Sequence, residues 1–260
     1  MSRGVYAVEN KGIRTIGIPY GVMVGGGYLE EATAYERFGR NPDVTSLGTP
    51  EDIWNGGGEY TGFPVGDSVP VEVFSGEAGD TGELTVWGLK TPDSTELESE
   101  TVTLTGTTPV ALANSWWRIN RQVYNNGSAT AFNLGAITVR DSDTTSNVFS
   151  VIPVGFSHST AAVFTVPADC TGYLTNISVN VSRQVTANIT GALWYREFGK
   201  SPTMLRPFSA SNEGEHVDII PYGLTIPAKT DISLRVLTVS ALSTVIGEMD
   251  LIVLSNEVYA

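Results

Sequence analysis

The sequence has few of the residues on which most catalytic and metal sites depend. Among its 260 residues there is one cysteine, Cys170, and there are two histidines, His158 and His216. One cysteine excludes an intrachain disulfide and a cysteine-based metal cluster, and two histidines exclude a site built from several histidine ligands. The sequence therefore predicts a protein without a cofactor or a bound metal ion.

Positive charge is also scarce. Lysine and arginine together number 15 against 28 aspartates and glutamates, which gives a formal net charge of −13. A surface this acidic repels phosphate backbones, so nucleic acid is not an expected partner. The apolar runs, such as residues 249–254, are far shorter than the roughly 20 residues of a membrane-spanning helix, and the first residues lack the apolar stretch of a signal peptide. We therefore expect no membrane partner either.

The residues that are present favour β-structure. Hydrophobic residues make up 41% of the chain, enough for a sizeable core, and 28 glycines and 13 prolines recur between short runs. Roughly a dozen of these runs alternate apolar and polar residues, and each is bounded by Gly, Pro, Asn, Asp or Ser. The pattern predicts an all-β protein with a jelly-roll-like antiparallel β-sandwich body, either one large sandwich or two stacked ones.

The first 62 residues differ from the rest. They contain glycine triplets at 25–27 and 56–58, and their apolar residues are scattered, so the segment cannot build a core of its own. We predict an extended docking arm over 1–62 with a short helix at 28–38, where helix-forming residues cluster. The expected support for this arm is another chain, and the alternative is the protein's own body. A soft boundary near 153–160 divides the remainder into β-parts 63–155 and 156–260.

Two groups of side chains are candidates for contact with a partner, since aromatic residues dominate interface energetics. Consecutive strand residues point to opposite faces, so one indole of the pair at 116–117 should enter the core. The other is expected to be covered by the arm or a second subunit, or to remain exposed as a platform for sugars. The docking-arm candidates are Phe38, Arg40, Asn41, Asp43, Ile53, Trp54 and Tyr60, and the aromatic candidates are Trp116, Trp117 and Trp194.

The titratable residues do not form a recognisable catalytic pattern. Both histidines lie in polar loops without the glycine pattern of a nucleophile elbow. The acidic loop at 77–83 lacks apolar neighbours that would raise the pKa of one carboxyl above another. The segment 141–143 resembles the start of a calcium loop but lacks the glycine and the terminal glutamate of an EF-hand. The sequence therefore predicts a protein that is not an enzyme, with Cys170 as a buried structural thiol.

Several motifs follow one another in a fixed order along the chain. They are 38–43 (FGRNPD), 49–60 (TPEDIWNGGGEY), 100–110 (ETVTLTGTTPV), 118–121 (RINR), 162–168 (AVFTVPA), 172–175 (GYLT), 194–199 (WYREFG), 226–232 (IPAKTDI) and 249–252 (MDLI). Together they cover most of residues 38–254 and resemble a family of structural proteins of tailed bacteriophages, especially marine ones. The resemblance implies a location in the virion and no enzymatic activity.

Two functions are compatible with this resemblance. The first is a capsid decoration (cement) protein, made in the host cytoplasm and placed on the outer surface of the phage head. It would act as a homotrimer whose arm clamps neighbouring subunits of the major capsid protein. The alternative is a neck, tail or head-fibre component with a glycan- or receptor-binding jelly roll, in which Trp87 or Trp194 lies beside a polar pocket. A virion-attached depolymerase is a third hypothesis.

Overall fold

The computed structural model describes residues 20–29, 31–45, 48–127, 132–182, 187–211 and 214–256. Within these ranges nearly all regular structure is β, which confirms the predicted fold class. No helix of the described part is long and apolar enough to cross a membrane. The elements are α1 (Tyr20–Gly25), β1 (Ala32–Val44), β2 (Glu51–Asp52), β3 (Val71–Ser75), β4 (Glu83–Leu89), β5 (Glu98–Thr103), β6 (Val110–Ala111), β7 (Arg118–Asn125), β8 (Ile137–Asp141), β9 (Val148–Ile152), β10 (Val163–Thr165), β11 (Cys170–Ser182), β12 (Asn188–Arg196), β13 (Thr203–Ser211), β14 (Glu215–Ile226), β15 (Asp231–Val239) and β16 (Ser243–Ser255).

The described strands form two antiparallel β-sandwiches. In the first sandwich, a sheet of order β6-β3-β8-β9 packs against a sheet of order β5-β4-β7. In the second sandwich, a sheet of order β1-β16-β11-β14 packs against a sheet of order β10-β15-β12-β13, to which β2 adds through β15. We call the β1-β16-β11-β14 sheet the terminal sheet, because it contains the first and the last described strand.

Each sandwich has a hydrophobic core of its own. Leu84, Trp116 and Phe149 are fully buried in the first core, and Phe164 and Leu234 are fully buried in the second. Each such side chain contributes about 1.5–3 kcal/mol by leaving water. The alternation that predicted strands is visible in β16, where buried and half-buried positions alternate over most of its length.

The first sandwich interrupts the sequence of the second. Its core residues run from Val71 to Ile152. The second core takes Val44 and Ile53 from before this stretch and residues from Ala162 onwards after it. The predicted division at 63–155 and 156–260 left residues 1–62 outside both parts. In the structure, β1, β2 and Ile53 belong to the second sandwich.

The helix predicted at 28–38 is not present. From Ala32 onwards this segment is strand β1, which pairs with β16 from Leu254 back to Ser243. Strand pairing and the burial of alternate side chains outweigh the local helix propensity, which amounts to only a few tenths of a kcal/mol per residue. The helix of the described residues, α1, lies earlier in the chain.

The prediction of an extended arm was wrong for the described residues 32–45 and 48–60. Val44 and Ile53 are fully buried in the second core, and β2 pairs with β15 at Arg235 and Val236. The partner strands that this glycine-rich stretch needs are therefore supplied by its own chain, as in the alternative that the sequence left open. Residues 1–19 lie outside the described residues, and the arm prediction for them stays a prediction.

Candidate functional site

The aromatic residues of the arm motif fasten a glycine-rich loop to the protein's own body. The Tyr60 hydroxyl donates to the Phe149 carbonyl over 2.8 Å, and its ring contacts Trp54 edge-on at 5.1 Å. Burial raises the pKa of Tyr60 far above its usual value. The Trp54 ring covers Gly56 so closely that a Cβ there would lie 2.2 Å from an indole carbon. Only glycine fits beneath this indole.

The polar residues of the motif have structural contacts as well. The Asn41 amide donates to Glu51 over 3.2 Å and to the Asp52 carbonyl over 3.1 Å, and its Oδ1 accepts from the backbone N–H of Asp43. Asn41, Ile53, Trp54 and Tyr60 are all buried in the chain itself. Their prediction as docking anchors was therefore wrong. Of the other arm candidates, Phe38 and Asp43 are exposed and Arg40 is half-buried.

Both adjacent tryptophans are buried within the chain. Trp116 belongs to the first core, and Trp117 lies beneath the Arg118 guanidinium, at 4.2 Å from its ring centre, with Phe198 edge-on at 5.7 Å. Both side chains have an exposed fraction of 0%. Neither can form a subunit interface, because the chain's own residues already cover them. Trp194 is half-buried beside Arg235, so its role at an interface stays a prediction.

A buried ion network joins the two sandwiches. Asp231 accepts from Nε and Nη2 of Arg118 over 2.8 and 3.1 Å, from Nη2 of Arg196 over 2.6 Å and from the Thr165 hydroxyl over 2.6 Å. Arg118 begins a strand of the first sandwich, while the other three residues belong to the second. The network fixes the two units to each other, and its dense pairing indicates a structural role.

The outer face of the terminal sheet is open to solvent. Directly opposed residues share a face of a sheet, and the strand register therefore defines two neighbouring rows. One row contains Glu36, Asp250, Asn176 and Ile219, and the next contains Phe38, Glu248, Ser178 and Val217. Three large apolar side chains on this face are strongly exposed: Phe38 at 40%, Val217 at 51% and Ile219 at 71%.

Carboxylates lie between these apolar side chains. Burial raises the pKa of Glu248, and the neighbouring charges of Asp250, Glu36 and Glu215 raise it further. Like charges placed this close on one face lower the stability of the free protein, and a basic surface would relieve the repulsion. The outer face of the terminal sheet thus combines exposed apolar groups with uncompensated negative charge.

A cleft of about 530 Å³ separates β1 from the first sandwich. Among its lining residues are Arg37 from β1, Trp87 from β4, Asn120 and Arg121 from β7, and His158 from the loop between β9 and β10. Burial lowers the pKa of Arg37 to about 10, so it stays protonated at neutral pH. Burial also lowers the pKa of His158, and the charges of Arg121 and Arg37 add to this effect.

Two buried polar groups at this cleft lack partners. Nε of Arg37 and Nδ2 of Asn120 have no hydrogen-bond acceptor among the described residues. The side chains are only 8% and 7% exposed. Sequence analysis missed both residues, and no local motif could have revealed them, since the cleft unites segments that are distant in the chain.

The remaining titratable candidates have structural contacts. His216 packs its ring against Phe208 at 5.8 Å. Asp80 is buried and accepts from the backbone N–H groups of Leu134 and Gly135, so it holds the loop that contains them in place. Asp141 accepts from the N–H groups of the turn that follows it. Within the described residues no group of three or more His, Cys, Asp or Glu side chains could hold a metal ion.

Comparison with known proteins gives weak structural likenesses. No protein-family model matches the chain, and no curated sequence matches it. The chain is similar to a structure of the infectious bursal disease virus Gx strain, with 11% identity and a TM-score of 0.26 over 88% of this chain and 74% of that one. A crystal structure of the VP2 subviral particle of the same virus gives 10% identity and a TM-score of 0.25 over 88% and 73%. Likeness at this level carries no argument about function.

Proposed function

We propose that this chain is a non-enzymatic structural protein of a bacteriophage virion, and that it decorates the outer surface of the head by binding the major capsid protein. The phage proteins that its ordered motifs resemble motivate the virion location. The observation that carries the binding role is the outer face of the terminal sheet, with its exposed Phe38, Val217 and Ile219. Val217 and Ile219 are neighbours on the edge strand β14, and Phe38 lies on the opposite edge strand β1. Exposed apolar groups that share one face are typical of protein–protein contact sites.

The size of this face suits a specific interface. Four strands about 4.8 Å apart and about 40 Å long present roughly 800 Å², which is the area that one partner contributes to a standard interface. The carboxylates of Glu36, Glu215, Glu248 and Asp250 favour a partner surface that carries lysine or arginine between apolar residues. In this proposal, attachment through this face takes the place of the clamp by an arm over 1–62 that the sequence predicted.

A substitution that adds a positive charge to this face tests the proposal. Ile219→Lys places a cation where an apolar contact with a basic partner is expected, so its affinity for heads assembled without the protein should fall about tenfold or more. Val65→Lys is the matched control, because Val65 is 89% exposed on a loop away from this face. Equal binding by both variants, with both proteins folded, would exclude this face as the docking surface.

The proposal includes a homotrimer, because attachment through several copies multiplies a modest affinity at each site. Light scattering of the purified protein should give three times the mass of one chain. A monomeric mass at the concentrations used for head binding would overturn this part of the proposal.

The alternative function, a neck, tail or head-fibre component that binds a glycan or receptor, is favoured by one observation. The half-buried Trp87 lies in the cleft with several polar groups. Copy number distinguishes the two functions. Quantitative gels of purified virions should show many copies for a decoration protein, comparable with the major capsid protein, and very few for a neck or tail component.

A further inference from the structure

The cleft between β1 and the first sandwich has the electrostatics of an anion site. Arg37 and Arg121 form no ion pair with any described residue, although the protein has almost twice as many acidic as basic side chains. The two charges lie near each other, since the charge of Arg121 contributes, after burial, to lowering the pKa of Arg37. Glu36 is the single carboxylate among the described lining residues, and its side chain lies on the outer face of the sheet.

The guanidinium of Arg37 is held between aromatic rings, but its Nε has no hydrogen-bond acceptor among the described residues. Its guanidinium lies 4.9 Å from the ring centre of Phe164 and 5.4 Å from that of Tyr35. These rings fix the side chain but accept no conventional hydrogen bond from Nε. A buried cation that lacks an acceptor destabilises the fold, whereas a ligand carboxylate would accept from it in the geometry that guanidinium groups favour.

The rest of the lining suits a sugar better than a peptide. The cleft volume falls in the range of small-molecule sites, about 300–1,000 Å³. The Trp87 indole offers an apolar surface, and the guanidinium of Arg121 lies 5.2 Å from its ring centre. The free Nδ2 of Asn120 can donate to a hydroxyl or carboxylate oxygen. A contact with a flat protein surface would leave these recessed groups unsatisfied.

We propose that this cleft binds an acidic sugar, with the carboxylate of a uronic or sialic acid accepting from Arg37 and Arg121 and with Asn120 as an additional donor. This inference rests on the alternative function, for which it gives the class of ligand. It does not depend on head binding, because sugar binding can be measured on the isolated protein. Loss of head binding by Ile219→Lys and loss of sugar binding are therefore separate results.

Calorimetric titration of the full chain with sodium glucuronate tests the proposal, with glucose as the matched ligand that lacks the carboxylate. We expect saturable binding of glucuronate and binding of glucose that is weaker by about tenfold or more. Arg37→Met and Arg121→Gln should each weaken glucuronate binding to a similar degree. Arg40→Gln is the control, because Arg40 lies on β1 outside the lining of the cleft and near Phe156.

Stability separates a binding role from a packing role for Arg37. Because Nε lacks an acceptor, Arg37→Met should leave the thermal midpoint of the free protein unchanged or higher while it removes glucuronate binding. The proposal is overturned if glucose binds as well as glucuronate, or if Arg37→Met and Arg121→Gln bind glucuronate like the unmodified chain. It is also overturned if an acidic peptide such as tri-glutamate binds and glucuronate does not. Arg121 is exposed, so Arg121→Gln should fold and can decide the proposal even if Arg37→Met does not fold.

Discussion

Arg118 and Asp231 form a two-point ion pair across the junction of the two sandwiches, with Nε 2.8 Å from Oδ1 and Nη2 3.1 Å from Oδ2. Their side chains are 3% and 4% exposed. Little water reaches this pair, so the two residues depend on each other and on Arg196 and Thr165. The orientation of one sandwich on the other is fixed at this point.

Removing the carboxylate should be costly. Asp231→Asn leaves two guanidinium groups without their counter-charge, and we expect the free energy of unfolding to fall by about 3–5 kcal/mol. Glu98→Gln is the control, since the Lys90–Glu98 pair is partly exposed and its loss should cost less than about 1 kcal/mol. Urea unfolding followed by tryptophan fluorescence measures both. Similar losses for the two variants would contradict a structural role for the network.

Gly39 should tolerate no side chain. A Cβ at this position would lie 2.1 Å from the Ile53 carbonyl oxygen and 2.3 Å from the Ala162 nitrogen, both backbone atoms. Gly39→Ala should therefore destabilise the protein by about 2 kcal/mol or more, because β1 must shift away from its neighbours. Gly76→Ala is the control, where the nearest atom would be 3.6 Å away. A thermal midpoint for Gly39→Ala as high as that of Gly76→Ala would refute this packing.

The stability of the protein should depend on the pH through Asp52. Burial raises the pKa of this carboxyl from 3.8 to about 6, although Nε of Arg235 lies 2.8 Å away and lowers it. The folded state then holds the proton more tightly than the unfolded state, so stability falls as the pH rises between these two values and is level above them. The total loss is about 2–3 kcal/mol.

The measurement is a series of urea unfolding curves from about pH 4 to pH 7 for the unmodified chain and for Asp52→Asn. The amide that replaces the carboxyl cannot titrate, so the variant should lack this part of the slope, whatever its absolute stability. Parallel profiles for the two proteins would show that Asp52 is already ionised throughout this range.

The thiol of Cys170 should be inert in the folded protein. The side chain is buried, its sulfur donates to the Thr95 carbonyl over 3.4 Å, and burial together with Asp169 raises the pKa of the thiol. An aromatic disulfide reagent should react slowly with the native chain and rapidly in urea. Val65→Cys adds an exposed thiol as a positive control. Equal rates at Cys170 in buffer and in urea would contradict its burial.

The strand content could be predicted from the sequence because it depends on a local signal. In β16 the extended backbone directs successive side chains to opposite faces. The apolar–polar alternation in the sequence therefore matches the alternation of buried and half-buried positions in the structure. The prediction of a helix at 28–38 was wrong because it used only the helix propensities of neighbouring residues. The contact that decides the structure is between residues far apart in the sequence, since Ala32 pairs with Leu254.

The docking arm failed for a related reason. Residues around Ile53 have no core within their own segment, but Ile53 donates its backbone N–H to Leu234 and packs over Gly247. The cleft residues Arg37, Asn120 and His158 were unpredictable as a group, because each belongs to a different element and none follows a known spacing. Only the fold brings them together.

The insertion of one sandwich within the other constrains how the chain can acquire its structure on the ribosome. All strands of the first sandwich emerge together, so that unit can fold early. By contrast, β1 cannot pair until β16 has been made, because the residues of β16 lie about two hundred positions later in the chain. Until β16 has been synthesised, β1 lacks the strand with which it pairs. A chaperone that recognises nascent β-strands would therefore act on this segment first.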